Sequence, residues 1–171
     1  MKYLIFAILI LVSTNIYSQE KTTSDKSKIQ NFSLKTGSMI QKEFFPLGSV
    51  KKISIDKLVL TDVLTKVKLT GVKIKTSVVK SYSTSESSCF LDLDEIEEII
   101  KSSNFVLKMD APGEIYTEFQ FTSKEGFKAG SFSSKGEWAY FIQLDKYSND
   151  SLVFMSKGEF EQFIAVLKSV K

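Results

Sequence analysis

The feature that most limits how this chain can fold is a strand that turns directly into a helix. Residues 89–101 read C-F-L-D-L-D-E-I-E-E-I-I-K, and the apolar strand in this stretch ends at Asp92. Asp92 and Glu95 have capping-box spacing, in which the first side chain accepts from free amides and the second reaches back to the cap. One face of the following helix carries Ile96, Ile99 and Ile100. The stretch therefore predicts a buried strand followed by an amphipathic helix.

The same design returns near the C-terminus. Residues 153–164 read V-F-M-S-K-G-E-F-E-Q-F-I, with Ser156 and Glu159 at capping-box spacing. The apolar face of this second helix carries Phe160, Phe163 and Ile164. Residue 153 lies 64 positions after residue 89, and the two stretches match at several positions at that offset. An ancestral duplication and two independently capped helices explain the match equally well.

Strand-like alternation of apolar and polar residues precedes the first strand-to-helix unit. It predicts three antiparallel strands, at about residues 50–60, 63–69 and 72–78, with a tight turn at Thr70-Gly71. We also expect an early strand at Phe32-Ser33-Leu34, a serine-rich loop over residues 81–88 and a short strand over residues 105–107.

The second half alternates in the same way, with strands expected near residues 115–121, 127–132, 138–144 and 152–155. The fold class is therefore α+β, with antiparallel β-meanders each followed by a helix, so that ββββα occurs twice. We expect one domain over residues 32–171, with its halves at about 44–108 and 113–171.

The N-terminus has the pattern of a secretory signal peptide. Lys2 precedes an apolar run, which is followed by small and polar residues up to Ser18. The run is much shorter than the ~20 residues that span a bilayer, so we expect no transmembrane segment in the mature chain. We expect a signal peptide over residues 1–18, a flexible leader over 19–31, and a periplasmic or extracellular protein.

Composition excludes several enzyme classes more firmly than it indicates a function. The chain has no His and no Arg, so it lacks the usual general base near neutral pH and the planar cation preferred for phosphate recognition. Cys89 is the only cysteine, which leaves no intrachain disulfide and no cysteine zinc site. Its apolar neighbours indicate a buried small side chain rather than a reactive thiol. The net charge of +3 is too small to indicate nucleic-acid binding.

Four lysines are the candidate ligand-binding residues. If Thr70-Gly71 closes a hairpin, Lys68 faces Lys73 and Lys66 faces Lys75 across the strands. Like charges opposite one another are unfavourable, and an anionic ligand such as an acidic polysaccharide relieves the repulsion. The alternative is a solvated face on which lysines deter sheet-to-sheet aggregation.

Two other clusters have an ordinary structural explanation beside a functional one. The acidic residues of the first strand-to-helix unit have enough oxygens for Ca²⁺, although helix capping already explains them: Asp92, Asp94, Glu95, Glu97 and Glu98. The aromatic residues of the second sheet form either a core covered on both faces or a surface for a sugar or a protein partner: Tyr116, Phe132, Trp138, Tyr140 and Phe141.

No spacing in the chain marks a catalytic site. A Ser–Lys nucleophile pair needs no His, and Glu118 and Glu137 are two carboxylates of the kind that glycosidases use. Neither is singled out by a motif such as G-x-S-x-G or by a glycine-rich phosphate loop. We therefore expect an exported non-enzymatic domain without cofactor or metal, which acts by binding or structural association. The alternatives are an anion- or glycan-binding module and, third, a hydrolase.

Two stretches resemble small exported bacterial proteins of no assigned activity, namely L-D-L-D-E-I-E-E-I-I at residues 91–100 and Y-T-E-F-Q-F-T-S-K-E-G-F at residues 116–127. This resemblance carries over no functional residue. At the level of architecture, ββββα used twice is similar to the Whirly and PUR nucleic-acid-binding folds. The predicted export and the absence of Arg argue against the same function here.

Overall fold

The computed structural model describes residues 26–80 and 83–170. In chain order its elements are α1 (Lys28–Ser33), β1 (Ile40–Val50), β2 (Ile53–Asp62), β3 (Lys68–Lys80), β4 (Ser83–Asp92), α2 (Leu93–Leu107), β5 (Glu118–Thr122), β6 (Lys128–Ser134), β7 (Glu137–Gln143), a single 3-10 turn (Asn149–Ser151), β8 (Leu152–Met155) and α3 (Lys157–Lys168). The predicted signal peptide, residues 1–18, and residues 19–25 of the predicted leader lie outside the described residues.

The strands form two antiparallel sheets in the order of the chain. Sheet 1 is β1-β2-β3-β4 and precedes α2, and sheet 2 is β5-β6-β7-β8 and precedes α3. This is the α+β arrangement, with ββββα twice, that the sequence predicts.

Both capping boxes are present where the sequence places them. Glu95 Oε2 accepts from the amide of Asp92 at 3.0 Å, and Glu159 Oε2 accepts from the amide of Ser156 at 2.7 Å. The predicted apolar faces of α2 and α3 are buried except at Ile100, which is half-buried. The strand-to-helix units are therefore confirmed in detail, because both their caps and their apolar faces are set by local spacing.

The predicted hairpin at Thr70-Gly71 is wrong, because both residues lie inside β3 and pair with β2. A Cβ on Gly71 would collide with the side chain of Ile29 in α1 and lie 2.7 Å from the carbonyl oxygen of Leu91. Glycine stands there because α1 and β4 approach the strand closely, and not because the chain turns.

The β2–β3 turn occupies residues 63–67 instead. The Oδ1 atom of Asp62 accepts from the amides of Leu64 and Thr65, both at 3.1 Å. Lys66 then takes a left-handed conformation, with φ at 62°, and its amide donates to the carbonyl oxygen of Asp62 at 2.8 Å. An aspartate at the start of a turn stabilises it in this way without any glycine.

The first described helix, α1, is formed by residues that the sequence assigns partly to a leader and partly to a strand. Residues 28–31 belong to α1 rather than to a flexible leader, and Phe32-Ser33-Leu34 forms the end of this helix rather than a strand. Ile29 is fully buried against Leu58 and Leu60, on the face of β2 opposite to Ile53. A six-residue helix with one fully buried side chain is too short to show a helical period in the sequence.

Two further boundaries differ from the prediction. The serine-rich segment is not a loop from residue 83 onward, because it forms the first half of β4. Residues 105–107 are the last turn of α2 and not a strand. The α2 period in fact continues past Ile99 through Ser103 and Val106, which are both buried.

The aromatic residues of sheet 2 divide between its two faces. Tyr140 lies in the core, where its ring centroid is 5.1 Å from that of Phe160. Phe132, Phe141 and Phe154 lie together on the opposite face, with centroids 6.0–6.2 Å from that of Phe132. Phe141 is buried, whereas Phe154 and Tyr116 are 57% and 65% exposed. The alternative of a core covered on both faces therefore holds for only part of the group named from the sequence.

One continuous hydrophobic core joins the two halves. The second-half helix α3 packs on β1 as well as on β7 and β8, and the first-half helix α2 packs on β5 and β6 as well as on β3 and β4. At the α3–β1 contact, a Cβ on Gly48 would lie 3.2 Å from Val166 Cγ2. Both long helices, α2 and α3, therefore pack on strands of both sheets. Among the described helices, none is both long and apolar enough to cross a membrane.

Candidate functional site

The four lysines predicted to form a binding face do not share one. Lys66 lies in the β2–β3 turn and the other three lie in β3. Side chains alternate along a strand, so Lys68 lies on the face toward α2 and α3, while Lys73 and Lys75 lie on the outer face. The expected lysine-to-lysine pairs are absent because the register places Asp56 opposite Lys73.

The two outer lysines already have acidic neighbours. Lys75 Nζ lies 3.0 Å from Asp56 Oδ2, and Lys73 Nζ lies 3.8 Å from Glu86 Oε1. Lys73 Nζ also stands 5.7 Å from the ring centroid of Phe44, within the range of a cation–π contact. These partners relieve the repulsion from which anion binding was predicted. Binding of an anionic polysaccharide by these lysines stays a prediction.

The acidic cluster of the first strand-to-helix unit forms part of a polar junction, which consists of Ser27, Asp92, Glu95, Lys124 and Glu125. Asp92 accepts from the amides of Lys28 and Ile29 at 2.8 and 3.0 Å. Glu95 Oε1 accepts from the amide of Lys124 at 2.8 Å, and Glu125 accepts from the Ser27 hydroxyl. The junction therefore ties α1, the start of α2 and the β5–β6 turn to one another.

Burial raises the pKa values of one group in the polar junction and of one group beside it. Burial raises the pKa of the Glu125 carboxyl, against hydrogen bonds from Ser27 and Phe90 that lower it. Burial also raises the pKa of the Cys89 thiol well above its ordinary value, and the charges of Glu125 and Glu95 add to this. A thiol held in its neutral form is a poor nucleophile, so Cys89 is a packing residue.

The polar junction does not have the geometry of a metal centre. In the described part of the chain, no three Asp, Glu or Cys side chains are placed so that they could hold a metal ion. The carboxylates of Asp92 and Glu95 are taken up by backbone amides instead. The two catalytic carboxylates considered from the sequence, Glu118 and Glu137, lie on β5 and β7 with β6 between them.

The sheet edges differ in how they are protected from pairing with another strand. At the β4 edge, the amide of Phe90 donates to Glu125 Oε2 at 3.4 Å. At the β8 edge, Lys51 Nζ donates to the carbonyl oxygen of Phe154 at 3.1 Å. The β1 edge carries Pro46 and a register irregularity next to it. Capping groups, proline and bulges are the usual means of blocking an edge.

The β5 edge has none of these devices within the described residues. Hydrogen bonds from Ser133 to Thr117 and from Ser123 to Phe127, both 2.8 Å, show that the odd-numbered residues of this strand pair with β6. The alternation of an antiparallel ladder then directs the amides and carbonyls of the even-numbered residues away from β6: Glu118, Gln120 and Thr122. These backbone groups are free to pair with an added strand.

A groove runs between this edge and α2, and we call it the edge groove. It has a volume of about 660 Å³, within the range of small-molecule and side-chain pockets. Its lining, contributed by α2, β5 and β6, consists of Glu98, Lys101, Ser102, Ser103, Phe105, Val106, Phe119, Gln120, Phe121, Thr122, Ala129 and Gly130. The surface of this lining is mainly apolar, with the charged groups supplied by α2.

Aromatic side chains form one wall of the edge groove. Phe105 is 63% exposed, although it meets Phe119 edge-on with a centroid distance of 6.3 Å. Phe119 in turn meets Trp138 at 5.7 Å, and the indole N–H of Trp138 donates to the carbonyl oxygen of Asp110 at 2.6 Å. The wall is therefore held in position from behind and presents an apolar surface to the solvent.

The sequence pattern does not predict the edge groove, for two reasons. It places Phe105 in a strand, and it does not distinguish Gly130 from the other glycines. A Cβ on Gly130 would overlap the carbonyl oxygen of Phe119, so glycine allows the two strands to approach. The spacing of Ile96, Ile99, Ser103 and Val106 could have extended α2 and placed Phe105 outside its buried face.

Comparison with known proteins adds no relative to this picture, since no protein-family model, no curated protein and no solved structure matches the chain.

Proposed function

We propose that this chain is an exported, non-enzymatic domain that binds an extended peptide segment. The peptide adds as a strand to the free edge of β5 and places alternate apolar side chains in the edge groove. The observation that carries the proposal is the conjunction of an unprotected strand edge and an apolar groove beside it. Strand addition uses both, because the backbone supplies affinity and side-chain pockets supply specificity.

The dimensions of the edge groove suit this mode of binding. An added strand lies about 4.8 Å from its neighbour, which places it between β5 and α2. One set of its side chains then contacts Phe105, Phe119 and Phe121. The preferred sequence is an alternating one, with apolar residues at every second position and few charges between them.

The direct test is selection of short linear peptides from a displayed library with the purified protein as bait. The expected result is enrichment of alternating apolar sequences. Binding of a selected peptide should slow hydrogen exchange at the amides of Gln120 and Thr122, which face away from β6. It should leave the amide of Phe121 as it was, since that amide is already paired with β6.

Two substitutions at one position provide a matched pair. Gln120→Pro removes the outward N–H at an edge position where proline is tolerated, and should weaken peptide binding about tenfold or more. Gln120→Ala keeps the amide and should bind as the unsubstituted protein does. Phe105→Ala should weaken binding without unfolding the protein, since this side chain is largely exposed. Undiminished binding by Gln120→Pro would exclude strand addition.

Export is a separate part of the proposal and has its own test. The charged residue, apolar run and small residues up to Ser18 support cleavage before Gln19. We expect the protein recovered outside the cytoplasm to begin at Gln19 when its N-terminus is sequenced. Recovery of a chain that begins at Met1 in the cytoplasm would contradict export.

A further inference from the structure

A second cavity lies between sheet 1 and the two long helices, and we call it the sheet–helix cavity. Its volume is about 630 Å³. Ile96 and Ile100 of α2 and Leu167 and Val170 at the end of the chain supply a largely apolar interior. It occupies a different face of α2 from the edge groove, and the two cavities have no lining residue in common.

Lys57 lines this cavity from the inward face of β2, where a lysine is unusual because that face packs on the core. It follows Ile53 and Ile55 on the face of β2 that packs toward the helices, and it is half-buried. No Asp or Glu in residues 26–80 and 83–170 forms an ion pair with it. Lys57 therefore brings a positive charge without a counter-ion to the wall of an apolar cavity, and a negative ligand at this place compensates it.

The rim of the sheet–helix cavity has a positive excess. Lys168 of α3 lies on it and, like Lys57, has no ion-pair partner within the described residues. Glu97 is the single carboxylate among the lining residues. Thr70 adds a hydroxyl beside them. Two unpaired cations against one carboxylate, above an apolar interior, match a ligand with one anionic head and one apolar tail.

We infer that the sheet–helix cavity binds a single-chain carboxylate of the fatty-acid class. The carboxylate lies between Lys57 and Lys168, and the hydrocarbon chain lies against the isoleucines and Leu167. The inference is independent of peptide binding, because it involves another cavity and other side chains.

Titration calorimetry with laurate below its micellar concentration tests the inference. The control probe is dodecyltrimethylammonium, which has a tail of the same length and a cationic head. We expect one laurate to bind per chain, with an affinity about tenfold or more above that of the cationic probe. Equal binding of the two probes, or binding of many laurates per chain, would overturn the inference, since the apolar surface alone would then explain it.

Variants separate the roles of charge and shape. Lys57→Gln should weaken laurate binding about tenfold, and Glu97→Gln should strengthen it. Lys66→Gln removes the same charge from an exposed turn and should leave binding unchanged. Leu93→Trp, at a half-exposed position on the cavity wall, should block the cavity while the thermal transition stays near its original temperature. If Lys66→Gln weakens binding as much as Lys57→Gln, the effect is one of net charge and the site is wrongly assigned.

A last arm distinguishes a free fatty acid from a membrane lipid. Vesicles of phosphatidylglycerol present anionic heads but keep their acyl chains in the bilayer. We expect the protein not to sediment with them, because Lys57 and the cavity interior are reached by a single chain and not by a flat surface. Sedimentation that is lost in Lys57→Gln and not reversed by laurate would assign the lysines to a membrane surface and overturn the inference.

Discussion

The carboxylate of Asp92 accepts a hydrogen bond from the backbone amide of Ile29 at 3.0 Å, across 63 residues of sequence. The same carboxylate accepts from the amide of Lys28 at 2.8 Å, while its own backbone forms the N-cap of α2. One buried residue therefore supports the first turns of two helices, α1 through its carboxylate and α2 through its backbone. This places α1 on sheet 1 and makes it part of the folded unit.

Asp92→Ala should remove α1 from its position. The buried amide of Ile29 and the partly buried amide of Lys28 lose their acceptor, and a buried unsatisfied group costs about 1–3 kcal/mol. We expect rapid hydrogen exchange at both amides and a lower free energy of unfolding in urea. Asp94→Ala, which removes an exposed carboxylate from the same first turn, is the control. If the two variants lose the same free energy of unfolding, the hydrogen bonds from Asp92 to α1 do not stabilise the fold more than the exposed carboxylate of Asp94 does.

Gly71→Ala should test the close approach of α1 and β3. The added Cβ meets Ile29 and the backbone of Leu91, and overpacking of this kind costs about 1–3 kcal/mol. Gly113→Ala is the matched control, because a Cβ there has no atom within 4 Å and the change should stay within about 0.5 kcal/mol. The two urea midpoints measure the difference. Equal urea midpoints for the two variants would contradict the close approach of α1 to β3.

Asp62 should support the fold at neutral pH and cease to do so in acid. The hydrogen bond from Lys35 is the largest cause that lowers the pKa of Asp62 from its ordinary value of 3.8 to about 2, and the amides of Thr65 and Leu64 also contribute. The stabilisation is complete above pH 3.8 and is lost as the pH falls through about 2.

Two variants check this assignment. The difference in unfolding free energy between the natural protein and Asp62→Asn should be constant above pH 4 and shrink between about pH 4 and 2. Lys35→Gln should raise the pKa of Asp62, as followed by the NMR shift of its carboxyl carbon. An unchanged pKa in that variant would contradict the role of Lys35.

Glu125 should have the opposite pH dependence. Burial raises its pKa in the folded state above the ordinary value of 4.5, so the folded state binds the proton more tightly than the unfolded state. Its contribution to stability therefore falls as the pH rises upward from about 4.5. Glu125→Gln does not titrate, and its stability relative to the natural protein should rise over that range.

The measurement is a series of urea titrations at successive pH values. Loss of a hydrogen bond in Glu125→Gln changes the unfolding free energy by the same amount at every pH. Only the dependence of the free-energy difference on pH therefore reports the titration of Glu125. A flat difference for Glu125→Gln would show that its carboxyl is no more buried in the fold than in the unfolded chain.

Local spacing accounts for what could be read from the sequence. The capping boxes at Asp92 and Ser156 and the apolar faces behind them depend on residues three or four apart, and these features were predicted correctly. Gly71 was misread because a glycine in a strand and a glycine in a turn look alike without the partner helix. The predicted strand over residues 63–69 is wrong for the same reason, because residues 63–67 form the turn between β2 and β3 and the register follows from that turn.

The candidate sites depended on contacts between distant residues. Lys73 and Lys75 do share a face, as alternation requires, but the neighbours that pair with them come from β2 and β4. The edge groove needs α2, β5 and β6 to meet, and only Gly130 hinted at a close approach. Capping explains the acidic cluster from the sequence, but its ion pairs with Lys28 and Lys124 join residues that are distant in sequence.

The packing of α3 on β1 determines when the protein can fold. When a ribosome has completed β1, more than two thirds of the residues have still to be added. The helix that covers part of this strand, α3, is the last of the described elements to be made. Until then α2 alone covers the apolar faces of the two sheets, the part of β1 that packs on α3 stays exposed, and contacts between residues so distant in sequence form slowly. The first half of the chain therefore cannot complete its share of the common core before the helix of the second half has been made.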